Sequence, residues 1–216
     1  MTMKTADGTV LLSLQINNLD KPENEVKILT EVKNVDIKKF FKSFDNFSQK
    51  AITSDHLSGR LTNRVQLKGK VDDQFKILLP SLSGAVDFRL VDGKLQNFEP
   101  MQKLSNFLFK NRDFSNVAFA EIRSKMKING SSIDIERMEI QSSVLFMFIE
   151  GRYSLEDSTA LSIQVPLKNL KKRDANYKPE NVGTDAKVGA SIFLFVHKKD
   201  GKTVISYDPF KKHRKK

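Results

Sequence analysis

The sequence predicts a mostly β fold: an antiparallel meander forming a curved, half-open β-groove, with two short amphipathic helices. Three observations carry this expectation. Apolar and polar residues alternate with a period of two along most of the chain, the mark of strands with one apolar face. Turn residues interrupt that alternation at roughly 8–15-residue spacing, as in a meander of hairpins. Two segments alone change to helical spacing.

The alternation begins with Val10, Leu12, Leu14 and Ile16 on one face and Ser13, Gln15 and Asn17 on the other. A turn at Asp20, Lys21 and Pro22 leads to Val26, Ile28, Thr30 and Val32. Asp36 then has the character of an N-cap, followed by Ile37, Phe40, Phe41, Phe44 and Phe47 at helical steps. Leu61, Val65, Leu67 and Val71 form the next strand, and Val86, Phe88 and Leu90 another, running to a turn expected at Asp92-Gly93. Pro100 opens a second helix with Met101, Leu104, Phe107 and Leu108 on one face, reaching to Phe109. Such short helices are too weak to stand alone in water, so each must lay its apolar face on the sheet or on a membrane surface.

In the second half, Ala118, Ala120, Ile122, Ser124, Met126 and Ile128 share a face up to the turn signal Asn129-Gly130. Ile133 and Ile135 follow, then Met138 and Ile140, then the nearly all-apolar run Val144 to Ile149. Leu161, Ile163, Val165 and Leu167 make another strand, and Ile192 to Val196 a late one. Nine or ten strands without intervening long helices argue against a βαβ fold. The chain divides into residues 1–80 (strands and a helix), 81–170 (a second β-region) and 171–216 (a basic segment with a late strand and a disordered tail).

Composition narrows the function. Sixteen Phe against no Trp and three Tyr supply ample apolar surface for a core or a greasy cavity. The absence of cysteine excludes a disulfide framework, a Cys-ligated zinc site and a thiol nucleophile. The formal net charge of +11 is concentrated after residue 167, where 14 Lys and Arg stand against 5 Asp and Glu. A basic tail of this kind suits anionic headgroups or nucleic acid, or merely keeps a terminus soluble. Nucleic-acid binding calls for bases interleaved with exposed aromatics; here the aromatics follow apolar periodicities and the bases lie in the tail, so no specific nucleic acid is expected.

The search for chemistry returns nothing. His56, His197 and His213 are scattered and none pairs with a second ligand at metal spacing, while the carboxylates occupy turns (Asp72, Asp73, Asp92) or solvent faces (Glu136, Glu139). No nucleophile elbow, phosphate loop or dinucleotide fingerprint is present. The expectation is a binding or transport module, not an enzyme, and no cofactor or metal. The longest apolar runs fall far short of the ~20 residues of a spanning helix, and strand pattern starts by Val10 with no leader before it. The chain reads either as cytoplasmic or as the C-terminal piece of a longer one.

From Leu57 to about Leu170 the order of turns and strands resembles the C-terminal region of the AsmA family. The resemblance is carried by Leu57-Ser58-Gly59-Arg60-Leu61 and its second version, Leu82-Ser83-Gly84-Ala85-Val86, followed by Leu90-Val91-Asp92-Gly93-Lys94-Leu95. The helix from Glu99, Val117-Ala118-Phe119, Ile128-Asn129-Gly130 and Ile133-Asp134-Ile135 continue it. Met138-Glu139-Ile140-Gln141-Ser142-Ser143 and Ile149-Glu150-Gly151-Arg152-Tyr153-Ser154-Leu155 complete it. It implies an elongated, half-open β-groove in the periplasm, held to the inner membrane by an N-terminal anchor that this chain lacks. It also implies a part in outer-membrane biogenesis, passing phospholipid along the groove. The partners implied are phospholipid, an anionic membrane surface, and the remaining β-repeats of a longer chain or other envelope proteins.

On this reading Val86, Phe88, Leu90, Ile133, Ile135, Val144, Phe146 and Phe148 line one concave apolar face that binds acyl chains, and a charged convex face keeps the domain soluble. Lys211, Lys212, Arg214, Lys215 and Lys216 touch the membrane surface. The alternatives are a closed sandwich in which the same residues fill a core, with a structural or protein-interaction role in outer-membrane assembly, and a basic nucleic-acid-binding protein.

Overall fold

The computed structural model describes residues 1–18, 24–48, 50, 52–108, 112–154, 159–170, 177–199 and 201–210. Among these, twelve strands form one antiparallel sheet: β1 (Thr2–Thr5), β2 (Gly8–Asn17), β3 (Asn24–Asp36), β4 (Leu57–Val71), β5 (Ser83–Gln96), β6 (Asn116–Ala118), β7 (Ile122–Asn129), β8 (Ser132–Gln141), β9 (Phe146–Ser154), β10 (Ala160–Pro166), β11 (Ser191–Lys199) and β12 (Lys202–Tyr207). Neighbours in the sheet are neighbours in sequence, except that the short β6 pairs beside β7 on β5. The path runs from β1 to β12 and does not close. The expected open meander is therefore present, and the closed sandwich is not.

A meander sends alternate connections to opposite ends of the sheet. One end carries the long ones, with α1 (Ile37–Ser43) between β3 and β4, α2 (Glu99–Leu108) between β5 and β6, and the segment before β11. The other carries the β4–β5 connection, residues 72–82, and the two-residue turn Gly130-Ser131, where Gly130 takes a φ of +60°. We refer to these as the helix end and the hairpin end. Asp36 caps α1 as its residue type predicts, its Oδ1 accepting the Lys39 N–H at 2.9 Å. Ile37 and Phe40 are buried, so the apolar side of α1 packs on the sheet.

Registration aligns the apolar residues of successive strands. One row across the sheet runs Val35, Leu61, Leu90 and Ile122. Another runs Leu12, Thr30, Val65, Val86, Met126, Ile135 and on through Gly151, Leu161 and Val196 to Ile205. Because side chains alternate across a strand, all of these stand on one face. The shift from odd to even between Ile135 and Met138, visible in the sequence, is a bulge in β8 that keeps both on that face.

The structure departs from expectation at four places. Asp92-Gly93 is not a hairpin turn: β5 runs through it to Gln96, and the register against β4 shifts there, with Asp92 at a φ of +53° and Gly59 opposite at +125°. This bulge lets β5 exchange β7 for β6 as its partner. The run from Ala118 to Ile128 is broken between β6 and β7. The edge strands β1 and β12 have too little alternation to be read beforehand. The first helix, expected to run on through Phe44 and Phe47, ends at Ser43: Phe44 is its C-cap, and Asn46 and Phe47 take φ values of +51° and +55° in the turn that follows. The turn expected at Asp20, Lys21 and Pro22 lies outside the described residues.

Candidate functional site

The apolar face is covered at the helix end and open at the hairpin end. Under α1, Val10, Val32, Val35, Ile37, Phe40, Leu57, Leu61, Leu90 and Ile122 form one buried cluster. Met101 of α2, with Phe114 and Val117, joins Ile140, Leu145, Met147, Ile163, Val165, Leu194 and Val196 in a second. Toward the hairpin end the rows Leu12–Val65–Val86–Met126–Ile135 and Leu14–Ile28–Leu67–Ile128–Ile133 have no helix above them among the described residues. Leu12 is 40% and Leu14 56% exposed, and the others are half-buried, shielded on their flanks by neighbouring strands. The result is an apolar trough several strands wide on an otherwise charged molecule.

Between the two halves lies the row Val32, Asn63, Phe88, Ser124. Asn63 Oδ1 and Ser124 Oγ are buried without a hydrogen-bond partner in the structure, on either side of the Phe88 ring. At the corner of the trough the β4–β5 hairpin leans over the sheet, and Phe75 and Ile77 enclose with Leu14, Ile16, Val26, Ile28 and Val71 an apolar hollow of about 320 Å³.

The opposite face is charged, as expected of a solvated side, but it is not simply convex. A hollow of about 520 Å³ is lined by Lys33, Arg64, Arg89, Arg123, Lys125 and Arg137, with Glu31, Asp87 and Glu136 among them. The right-handed twist of a wide sheet makes it a saddle, so each face is concave along one diagonal. Glu121 holds two of these cations in place, accepting Arg89 Nε at 2.7 Å and Arg89 Nη2 at 2.9 Å as well as Arg123.

The eight residues expected to line one groove fall on different surfaces. Val86, Phe88, Ile133 and Ile135 belong to the open trough or its border; Leu90 shares their face but is buried in the α1 core. Val144 sits in the β8–β9 turn beside the second core. Phe146 and Phe148 are on the opposite face, paired with Gln141 and Glu139, and are 0% and 1% exposed. The shared concave face is corrected accordingly: strands apolar on both sides here are covered on both sides.

That second cover is a strap, residues 177–190, drawn across the opposite face. The buried carboxylate of Glu139 accepts the backbone N–H groups of Val182 at 2.7 Å and Gly183 at 2.8 Å. Arg137 donates to the Thr184 carbonyl at 3.0 Å and to Gln164 Oε1 at 2.8 Å, and its guanidinium lies 3.8 Å from the centre of the Phe148 ring. Lys168 lies over Phe146 in the same way. Asn169, almost wholly buried, accepts the Phe146 N–H through Oδ1 and donates to the Phe146 and Pro166 carbonyls, standing in for a neighbouring strand. Arg112 donates to the carbonyls of Val144 and Asn169, and burial pulls its guanidinium below the ordinary value. Sequence reading placed Glu139 on a solvent face. The usable signal was its position beside an apolar Phe146–Phe148 stripe that no polar face could leave exposed.

Lys211, Lys212, Arg214, Lys215 and Lys216 lie outside the described residues. His56 Nδ1 accepts the Thr53 N–H at 3.0 Å, and His197 stacks on Phe195. Among the described residues no three of His, Cys, Asp and Glu are grouped to hold a metal, and no helix is long and apolar enough to cross a membrane. No family model, curated protein or solved structure matches the chain.

Proposed function

We propose that this chain is a non-catalytic periplasmic module of AsmA type that holds phospholipid acyl chains along the open half of its apolar face, in the service of outer-membrane biogenesis. The observation that supports this reading is the half-covered face of an open sheet: a largely apolar surface packed under helices at one end and, among the described residues, uncovered at the other. An acyl chain laid on Val65, Val86, Met126 and Ile135 removes both surfaces from water, at about 0.8 kcal/mol per buried CH₂. No bond is made or broken, so the reading requires no catalytic residue. Native mass spectrometry of the purified chain is the test, with phospholipid expected as a co-purifying mass. Val86→Asp and Met126→Asp, on half-buried positions, are expected to release it. A chain that carries no phospholipid, and takes none up from vesicles, ends this reading.

A second reading, a structural β-domain that joins other envelope proteins or further β-repeats, is favoured by the edges. Within the described residues β1 and β12 each pair on one side only, which leaves a row of backbone donors and acceptors for another strand.

A further inference from the structure

We propose that the β4–β5 hairpin, residues 72–79, is a docking tip that enters the headgroup–acyl boundary of an anionic bilayer. This goes beyond acyl-chain binding, which needs no contact with a membrane. The tip presents alternate apolar residues to solvent: Phe75 is 62%, Ile77 39% and Leu79 45% exposed, with Leu14 beside them. The turn is built to hold them out. Asp72 Oδ1 accepts the N–H groups of Gln74 at 3.0 Å and Lys76 at 2.9 Å, and its carbonyl accepts the Phe75 N–H at 2.9 Å. Phe75 has a φ of +60°, a left-handed conformation that a bulky side chain disfavours and glycine accepts freely. The ring roofs part of the hollow over Leu14 and Val26, yet most of it stays in solvent.

The surroundings specify the partner. Directly behind the tip a hollow of about 760 Å³ is lined by Lys27, Lys68 and Lys70, with Glu25, and closed by Leu78, Pro80 and Ser81. Lys76 stands on the turn itself, while Asp73 is the further carboxylate there. An apolar projection backed by lysines at headgroup depth suits an anionic bilayer, where aromatic rings settle at the interface and ammonium groups meet phosphate. The hollow beneath Phe75 and Ile77 opens on Leu14, Ile16, Val26 and Ile28, so an acyl chain leaving the bilayer at this tip meets apolar side chains of the sheet at once.

The chain has no Trp, so Phe75→Trp installs a single fluorescent reporter, and Phe44→Trp, in the exposed Phe cluster at the helix end, a comparator. With phosphatidylcholine vesicles containing about a third phosphatidylglycerol, the indole emission of the Phe75→Trp variant is expected to shift to the blue and to be quenched by brominated acyl chains. Phe75→Gly is expected to lower vesicle affinity about tenfold without lowering the melting temperature, since glycine fits the left-handed turn. Emission unchanged by vesicles in Phe75→Trp, a response confined to Phe44→Trp, or full vesicle binding by Phe75→Gly overturns the proposal. Native mass spectrometry of Phe75→Gly keeps the two readings apart. Lipid retained while vesicle binding is lost supports a separate docking tip. Lipid absent from the parent chain, while the Phe75→Trp variant still inserts, sinks only the acyl-chain reading.

Discussion

The two wings of the sheet use the same alternating strands and reach opposite solutions. In the first, β2 to β7, the face opposite the apolar one carries Lys27, Lys68, Arg64, Arg89 and Lys125 and meets water, while half of the apolar face lies open. In the second, β8 to β11, Phe146, Phe148 and Phe193 occupy that opposite face and a strap held by Glu139 and Arg137 lies across it. The difference teaches that apolar character does not mark the trough in this molecule. The greasy start of β9, Phe146 to Phe148, is wholly enclosed, and the surface available to a ligand is the plainer amphipathic one whose cover stops short.

An aspartate placed in each wing breaks or upholds this comparison. Phe148→Asp is expected to cost several kcal/mol, roughly 3–5, as an unpaired charge in a closed site, and to unfold the wing. Leu14→Asp, on a position 56% exposed, is expected to change stability by less than about 1 kcal/mol. Thermal melts of the two variants check this; equal losses would mean that the open half is in fact covered.

A smaller effect isolates the strap. Glu139→Ala removes the acceptor of two backbone N–H groups and is expected to cost about 2–4 kcal/mol. Hydrogen exchange at the Val182 and Gly183 amides should quicken, with the amides of β3 and β4 unaffected. Protection that survives the substitution would show the strap to be held by something other than this carboxylate.

The smallest effect belongs to the first wing, where Lys39 Nζ lies 2.6 Å from Asp7 Oδ2 in solvent. The hydrogen bond from Lys39 holds the Asp7 carboxyl below its ordinary value of 3.8. A depressed carboxyl stabilises the fold above the unfolded value and loses that contribution as pH falls through the folded one, so the window lies below about pH 4. Salt screens an exposed pair. Asp7→Asn is therefore expected to leave the melt at neutral pH nearly unchanged and to flatten slightly its acid limb; an unaltered acid limb would assign the acid sensitivity elsewhere.

Much of this architecture was legible beforehand. Apolar patterning located nine of the strands, because a strand with one buried face must repeat every second residue; the bulge between Ile135 and Met138 was not inferred from it. Asp36 and the spacing of Ile37 and Phe40 located α1. Asp92-Gly93 misled because left-handed residues serve bulges as readily as hairpin turns, and the choice rests on which partner strands lie alongside. Leu14 and Phe75 passed unnoticed as parts of a site, since each takes its meaning from the other.

Local sequence thus sets which residues are strand, which are turn and which sides of the strands are apolar, because those depend on side chains a few positions apart. Whether an apolar side is floor or core depends on what is laid over it. Over Phe148 that is the Arg137 guanidinium, itself bonded to Thr184 of the strap, and over Leu90 it is α1. For Val86 and Met126 it is nothing among the described residues. The Arg137–Thr184 hydrogen bond spans 47 positions, and no periodicity within either segment encodes the other's place above it.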